Sequence, residues 1–450
     1  MGRSRRHNKL KEGIFEAEIT ALSHDGRGIA KVDGKTTFIP FTLPGEVVKF
    51  EYTFTKSKFD EAKVVEYVKR SSSRVNPPCE HFEVCGGCSL QHMSTDAQIE
   101  HKQQTLLNQL KYIGNGVEPE NILPPLRTSN TEGYRNKARL GVRYVSKKGK
   151  ILVGFRERNG RYLADIDKCI VLNPLVGEKI TEISSFIETL SIYQHIAQLE
   201  IAIDDTRPAI IVRHLEPFTN EDLEKLRAFG LKNNYWIYLQ SKGPDTIFRL
   251  YPQDDVVEPK KLNYQPVAGI DIGFEPNDFT QVNNDINRKM IKRAIELLDI
   301  SKNDSIIDLF CGLGNFTLPI SQHAKTVIGV EGEPTMVKRA KETADNNNIT
   351  NVNFYAANLF ESFDDKEWFN NFGYNKMLLD PPRAGAQEVC SNIEKFNVER
   401  IVYVSCDTAT LARDAGILVN DKGYKLVSAG VMDMFPHTMH VESIAVFEKV

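Results

Sequence analysis

Two side chains in the C-terminal part of the chain are of types that do covalent chemistry on an unsaturated ring. Cys406 closes the apolar run of "IVYVSCD", residues 401–407, where a strand would give way to a helix. A thiol is partly ionised near neutral pH and an alcohol is not, so sulfur at a strand tip is a usable nucleophile where serine is a poor one. A thiolate that adds to carbon 6 of a uracil leaves negative charge at carbon 5, which can then accept a methyl group. The methylated adduct must lose its carbon 5 proton before sulfur can depart, and that requires a base. Glu442, directly ahead of the apolar "SIAVF" and near His437 and His440 in "FPHTMHVE", is the candidate. Taken singly, Cys406 reads as a small core residue and Glu442 as a solvated strand residue. Their shared position at strand ends, beside a ligand-binding turn, reverses that reading.

The turn is "DLFCGLGNFTL", residues 308–318, between an apolar strand and a helix. Gly312 and Gly314 allow a tight turn and close approach of a ligand to the backbone. Glu331 ends the next strand, where an acid accepts both ribose hydroxyls of an adenosine cofactor. With Asp308, Asn358 and Asp380 also at strand ends, the crevice is acidic. Phosphates favour helix N-termini and basic side chains, whereas the sulfonium and ammonium groups of S-adenosylmethionine suit carboxylates, so this cofactor is favoured over NAD. No Lys-Ser or Lys-Thr follows the glycines, which excludes a P-loop. "DPPRAG", residues 380–385, stiffens the exit of the fourth strand. There Arg383 stands in place of the aromatic that would point to attack by an exocyclic amine.

The elements that must carry these residues fall into three regions. "GIFEAEITALS", "GRGIAKV", "KTTFIPF", "EVVKFEYTF" and "DEAKVVEYV" alternate apolar and polar residues and predict five strands of a small OB-type barrel. "SSSRVNPP" reads as a linker. Beyond it a helix is predicted over 95–112, then an antiparallel sheet from "YRNKARLGVRY", "ILVGFRE" and "IAIDDTRPAIIVRH", with a helix over 216–230 and a strand in "YWIYLQS". From about residue 275 helix and strand alternate. Near-continuous apolar strands predict a parallel, doubly wound sheet, which binds ligands at the carboxyl ends of its strands. The expected boundaries are 1–70, 71–270 and 271–450, with the helix 95–112 free to pack on the last domain.

At 450 residues several domains are expected, and the absence of any long apolar run predicts neither a membrane span nor a signal peptide. The cytoplasm is the expected compartment. Net charge is −3 but uneven: residues 1–75 hold 15 Lys and Arg against 10 Asp and Glu, residues 76–170 hold 14 against 10, and the rest 28 against 40. A basic front, beginning with "MGRSRRHNKLK", suits a polyanion such as RNA. Seven cysteines are too few and too clustered for a secreted disulfide scaffold. Cys79, Cys85, Cys88 and the distant Cys169 have a spacing that fits four-thiolate zinc and an iron–sulfur cluster equally well. Phe155 and Tyr162 beside Arg156, Arg158 and Arg161, and Tyr134 beside Arg135, are candidates for stacking on displaced nucleotides.

"FTQVN", "DLFCGLGNF", "LLDPPRAG", "VYVSCD" and "FPHTMHVE", in that order, resemble the RNA uracil-5 methyltransferases of the TrmA and RumA type over nearly the whole chain. The resemblance implies a multidomain α/β protein: an N-terminal OB-type barrel of the TRAM kind, a small iron–sulfur and β-sheet domain, and a C-terminal Rossmann-like class I methyltransferase domain. It implies Cys406 as nucleophile and Glu442 as base, with S-adenosylmethionine contacts at Gln281, Phe310, Asn315, Glu331, Asn358 and Asp380. It also tips the cysteines towards a [4Fe–4S] cluster. The pairing of barrel and cluster resembles the branch that acts on 23S rRNA, with a monomer expected. A dual-site ribosomal enzyme, a tRNA enzyme, or an RNA chaperone with a vestigial sheet are the alternatives. One departure is Thr408, where the family usually has proline.

Overall fold

The computed structural model describes residues 10–158, 160–253, 261–364, 366–370 and 373–450; most of the basic head, residues 1–9, lies outside them. The chain divides into two compact units, one of residues 1–101 with 436–439, the other of residues 102–435 with 440–450.

In the first unit, strands β1 (Phe15–Glu18), β2 (Ala21–Leu22), β3 (Gly28–Val32), β4 (Lys35–Ile39), β5 (Val47–Thr55) and β6 (Phe59–Lys69) are ordered β1-β5-β6-β4-β3-β2. The first predicted strand is really two. The Ile19 N–H donates to Glu46 while the Thr20 N–H donates to Ile29, so the run changes partners at that point. Its first half pairs with β5 and its second with β3, which closes the sheet into a barrel. Ile19, Ala30, Ile39, Val48 and Phe50 fill the interior. "SSSRVNPP" lies outside the helices and strands and is anchored at Arg74. Arg74 sits on the fully buried Glu46 through two contacts of 2.6 and 2.7 Å and donates to the Phe41 carbonyl at 2.7 Å, because a buried carboxylate needs a paired cation. Helix α1 (Thr95–Tyr112) then runs from residues of the first unit into those of the second.

The second unit holds β7 (Asn121–Ile122) and a sheet of β8 (Lys137–Val145), β9 (Lys150–Gly154), β10 (Ile196–Ile203), β11 (Pro208–His214), β12 (Trp236–Gln240) and β13 (Phe248–Tyr251), ordered β13-β12-β11-β10-β8-β9. It is not wholly antiparallel. β11 and β12 run parallel because the helix Asn220–Asn233 carries the chain back between them. Thr219 and Asp222 start that helix as a reciprocal capping box. A hairpin of β14 (Leu262–Val267) and β15 (Ile270–Phe274), which the sequence pattern did not single out, precedes the last sheet.

That sheet comprises β16 (Ser305–Leu309), β17 (Thr326–Glu331), β18 (Val352–Ala356), β19 (Lys376–Leu379), β20 (Arg400–Ser405), β21 (Tyr424–Met432) and β22 (Glu442–Lys449), ordered β18-β17-β16-β19-β20-β22-β21-β7. β16 to β20 are parallel, as expected of apolar strands covered on both faces. β22 departs from the expectation, being antiparallel to both β20 and β21. β21 was missed because Ser428 and Gly430 interrupt its apolar pattern, yet it is what turns the chain round. The reversal brings the first residue of β22 to the end of the sheet where the parallel strands finish. No helix among the described residues is long and apolar enough to cross a membrane.

Candidate active site

β20 ends at Ser405, whose register partner on β22 is Ser443, so the next position on each strand is Cys406 and Glu442, facing one another across the sheet end. The turn that presents Cys406 is made locally. The Ser405 hydroxyl donates to the Asp407 carbonyl at 2.9 Å and accepts the Asp407 N–H at 3.1 Å, and Ser443 donates to the Ser405 carbonyl at 3.1 Å. Asp407 then caps the helix Thr408–Gly416, its carboxylate accepting the N–H groups of Ala409 and Thr410 at 3.0 and 3.2 Å. Thr408 therefore occupies the first helical position, where proline is tolerated but not required. Its departure from the family pattern leaves the turn intact.

Charge is concentrated at this end of the sheet. Burial pushes the Asp380 carboxyl up to about 7. Burial likewise pushes Asp308 up to about 8, the Thr317 hydroxyl opposing and the charges of Asp380 and Glu331 adding. Glu442, buried at 3% exposure, is held well above the ordinary carboxylate range by burial and then by Asp380. The Cys406 thiol, half-buried, is pushed up to about 11 by burial and by Glu442 and Asp380, with Arg383 pulling the other way. These shifts have one physical cause, namely carboxylates gathered in a desolvated crevice with few cations. Such a crevice favours a cationic ligand.

The glycine turn is built to receive one. Phe310, Gly312 and Gly314 all have positive φ, at +66°, +54° and +87°, which a non-glycine side chain seldom adopts. One Glu331 oxygen accepts the Gly312 N–H at 3.1 Å and the other the Glu333 N–H at 3.0 Å, leaving lone pairs on each for a further donor. Asp308 accepts from Thr317 at 2.5 Å through one oxygen, while the other is buried with no partner. An orphaned buried oxygen of this kind fits a donor supplied by a bound molecule. Phe310 faces Phe360, half exposed, with ring centroids 5.9 Å apart. Phe360 carries no motif and was not predicted. Asn358 is exposed and bonded to Glu361 and the Phe360 N–H. Gln281 lies in the loop before the helix Asn284–Leu298, lining a small hollow with Tyr264, Phe274 and Asn287. Asn315 is turned into the protein, exchanging hydrogen bonds with Asn287 and accepting from Tyr264 at 3.0 Å.

Cys79, Cys85 and Cys88 share one turn-rich stretch of the first unit, where the Gly87 N–H points at the Cys85 sulfur at 3.4 Å. Cys169 belongs to the second unit, its N–H donating to the Gly177 carbonyl at 2.9 Å. Tyr162 is 66% exposed beside exposed Arg156 and Arg161, whereas Tyr134 is buried and so is placed for packing, not stacking.

Comparison with known proteins adds to this geometry. The family model for tRNA (Uracil-5-)-methyltransferase matches residues 253–450, and the TRAM domain model matches residues 13–65. A protein of Francisella tularensis subsp. novicida, the 23S rRNA (uracil(1939)-C(5))-methyltransferase RlmD, is 94% identical over 450 residues and 100% of both chains. The like-named protein of Legionella pneumophila is 50% identical over 443 residues and 98% of both chains. Among solved structures, the Pyrococcus abyssi tRNA (uracil-54, C5)-methyltransferase in complex with S-adenosyl-L-homocysteine superposes with a TM-score of 0.72 at 23% identity, covering 96% of this chain and 99% of that one. That likeness establishes the fold.

Proposed function

The chain belongs to the RNA uracil-5 methyltransferases, and from this we propose that it methylates carbon 5 of a single uridine in 23S rRNA, the position numbered 1939 in the name of its relatives. The observation that carries the proposal is the register Ser405↔Ser443, which brings Cys406, the residue after β20, and Glu442, the first of β22, to the same end of the sheet.

S-adenosylmethionine, when bound, supplies the methyl group and a positive charge. Glu331, Asp308 and Asp380 are the acids that would hold it, with Phe310, Gln281 and Asn358 as the further residues that would contact it. Cys406, its thiol proton lost to solvent, adds as the thiolate to carbon 6 of the uracil, and carbon 5 takes the methyl group as S-adenosylhomocysteine leaves. Glu442 then removes the carbon 5 proton, the C–H electrons re-form the ring double bond, and the sulfur–carbon bond breaks to return the thiolate. The uridine must leave its stack to reach the crevice, at a cost of a few kcal/mol that is lowest in a loop.

The barrel and the cysteine region are the RNA-holding parts in this reading. On the barrel, Lys56 lies over Phe54 and Phe59 and Arg27 over Phe38, pairing cations with rings that can stack on bases. Cys79, Cys85, Cys88 and Cys169 are proposed to hold a [4Fe–4S] cluster with a structural role. Support comes from the three thiols within one short segment and from the backbone donor directed at the Cys85 sulfur, which favours a thiolate. Iron and sulfide content of anaerobically purified protein tests this; zinc in place of iron overturns it.

The activity is tested with 23S rRNA from cells lacking the gene, incubated with the protein and labelled S-adenosylmethionine. One 5-methyluridine at position 1939 is expected. Methylation at two sites, in tRNA only, or nowhere contradicts the proposal.

A further inference from the structure

The connection from β21 to β22, residues 433–441, is longer than most links between antiparallel neighbours and leads directly to Glu442. Two buried polar side chains of α1 seize it. We propose that Gln98 and Lys102 are positioning residues that hold Glu442 at the nucleophile, an inference that rests on the reading of Glu442 as the base. The two stand four positions apart, on one face of the helix.

Gln98, 2% exposed, accepts the His437 N–H at 2.8 Å and donates to the carbonyls of Leu90 and Met93 at 3.1 and 2.8 Å. The His437 carbonyl in turn accepts the N–H groups of Ser89 and Leu90, both at 2.9 Å. The Met439 N–H donates to the Ser89 hydroxyl at 3.1 Å, and the Met439 side chain packs against a small core of Leu43, Leu90 and Met93. His437 is fixed in this way at a φ of +66°, a conformation costly for a residue with a Cβ.

Lys102 has no exposed surface, and its ammonium group reaches Asp433 at 3.1 Å and the Phe435 carbonyl at 2.9 Å. The Asp433 N–H is held by the Leu126 carbonyl at 2.8 Å. A fully buried lysine is expensive and persists only where its charge is matched. Burying an ammonium group and holding a histidine at positive φ are costs that a plain surface connection would not carry. Both fall on the one segment whose position decides where Glu442 lies. Ser89 and Leu90 directly follow Cys88, so the cysteine loop forms the other jaw of the grip.

The test separates proton removal from the earlier steps. Full-length protein is incubated with a uridine-containing rRNA fragment and methyl-labelled S-adenosylmethionine, then denatured, and the labelled protein–RNA species is counted. Gln98→Met keeps the volume and removes the hydrogen bonds. It is expected to accumulate methylated adduct and to release product roughly ten- to a hundredfold more slowly, with affinity for S-adenosylhomocysteine unchanged within about twofold. Lys102→Met is expected to do the same. Should Gln98→Met fail to fold, Ser89→Ala, which removes only the acceptor for Met439, is read for the same accumulation at smaller scale. Glu442→Gln is the reference. If it fails to accumulate adduct, the reading of Glu442 as the base is wrong. If Glu442→Gln accumulates adduct and the folded Gln98 and Ser89 variants turn over like wild type, or slow adduct formation as much as release, the positioning role is overturned.

Discussion

Cys406 and Glu442 face each other across two paired strands, yet different parts of the chain hold them. The turn at Cys406 is set by Ser405 and Asp407, its immediate neighbours, with one outside contact from Ser443. Glu442 follows a connection fastened by side chains 331 and 339 positions distant in sequence. The nucleophile is therefore a product of local turn and cap chemistry, and the base a product of tertiary packing. Damage to the fold far from the crevice should reach the base first.

The strongest way to separate the two sides is to remove each reactive group. Cys406→Ser should lower methylation on the order of 10⁴-fold or more and form no covalent RNA species. Glu442→Gln should lower turnover by about 10²- to 10⁴-fold while methylated adduct accumulates. Rapid-quench gels that show the same intermediate pattern for both variants would erase the distinction.

A medium effect is expected from pH, through the acids at the cofactor end. Asp308 and Asp380 are raised to about 8 and about 7, so both are largely protonated at pH 6 and their ionised forms gain from a cation. Affinity for S-adenosylmethionine should rise roughly tenfold between pH 6 and 8, with proton release, because one unit of pKa is tenfold in binding. Homocysteine sulfur carries no charge, so S-adenosylhomocysteine should follow more weakly. The sign for stability is opposite. Carboxyls raised by burial favour the folded state most when protonated, so this contribution falls as pH climbs from about 4 to about 8, and unliganded protein should melt lower at pH 8 than at pH 6. Calorimetry at the two pH values checks both statements.

The smallest effect sharpens the local side. Asp407→Ala removes the cap of the helix after Cys406 and should cost about 1 kcal/mol in thermal unfolding. Loss of activity far beyond that of stability would mean that the cap also orients the sulfur.

The same contrast governs what was legible in the sequence. Strands β16 to β20, the glycine turn, Cys406 and Glu442 were all visible, because apolar runs bounded at one end by a reactive or acidic residue announce themselves through short-range pattern. The barrel was visible too, except for the partner switch at Ile19 and Thr20, which depends on where Glu46 and Ile29 lie. β21 was hidden by its Ser and Gly, and with it the antiparallel turn of β22. Gln98 and Lys102 read as ordinary polar residues of a helix, since nothing nearby reveals that they are buried. Asn315 fits the cofactor turn by motif, but its side chain is spent on Asn287 and Tyr264.

The central claim is a transient bond between the sulfur at position 406 and a pyrimidine. RNA carrying 5-fluorouridine at the target tests it directly, because fluorine cannot leave as the proton does and the adduct stalls. Digestion and mass spectrometry of the trapped species should place the nucleotide on the tryptic fragment 401–413. An adduct on another cysteine, or none from protein that methylates normal RNA, would contradict the account.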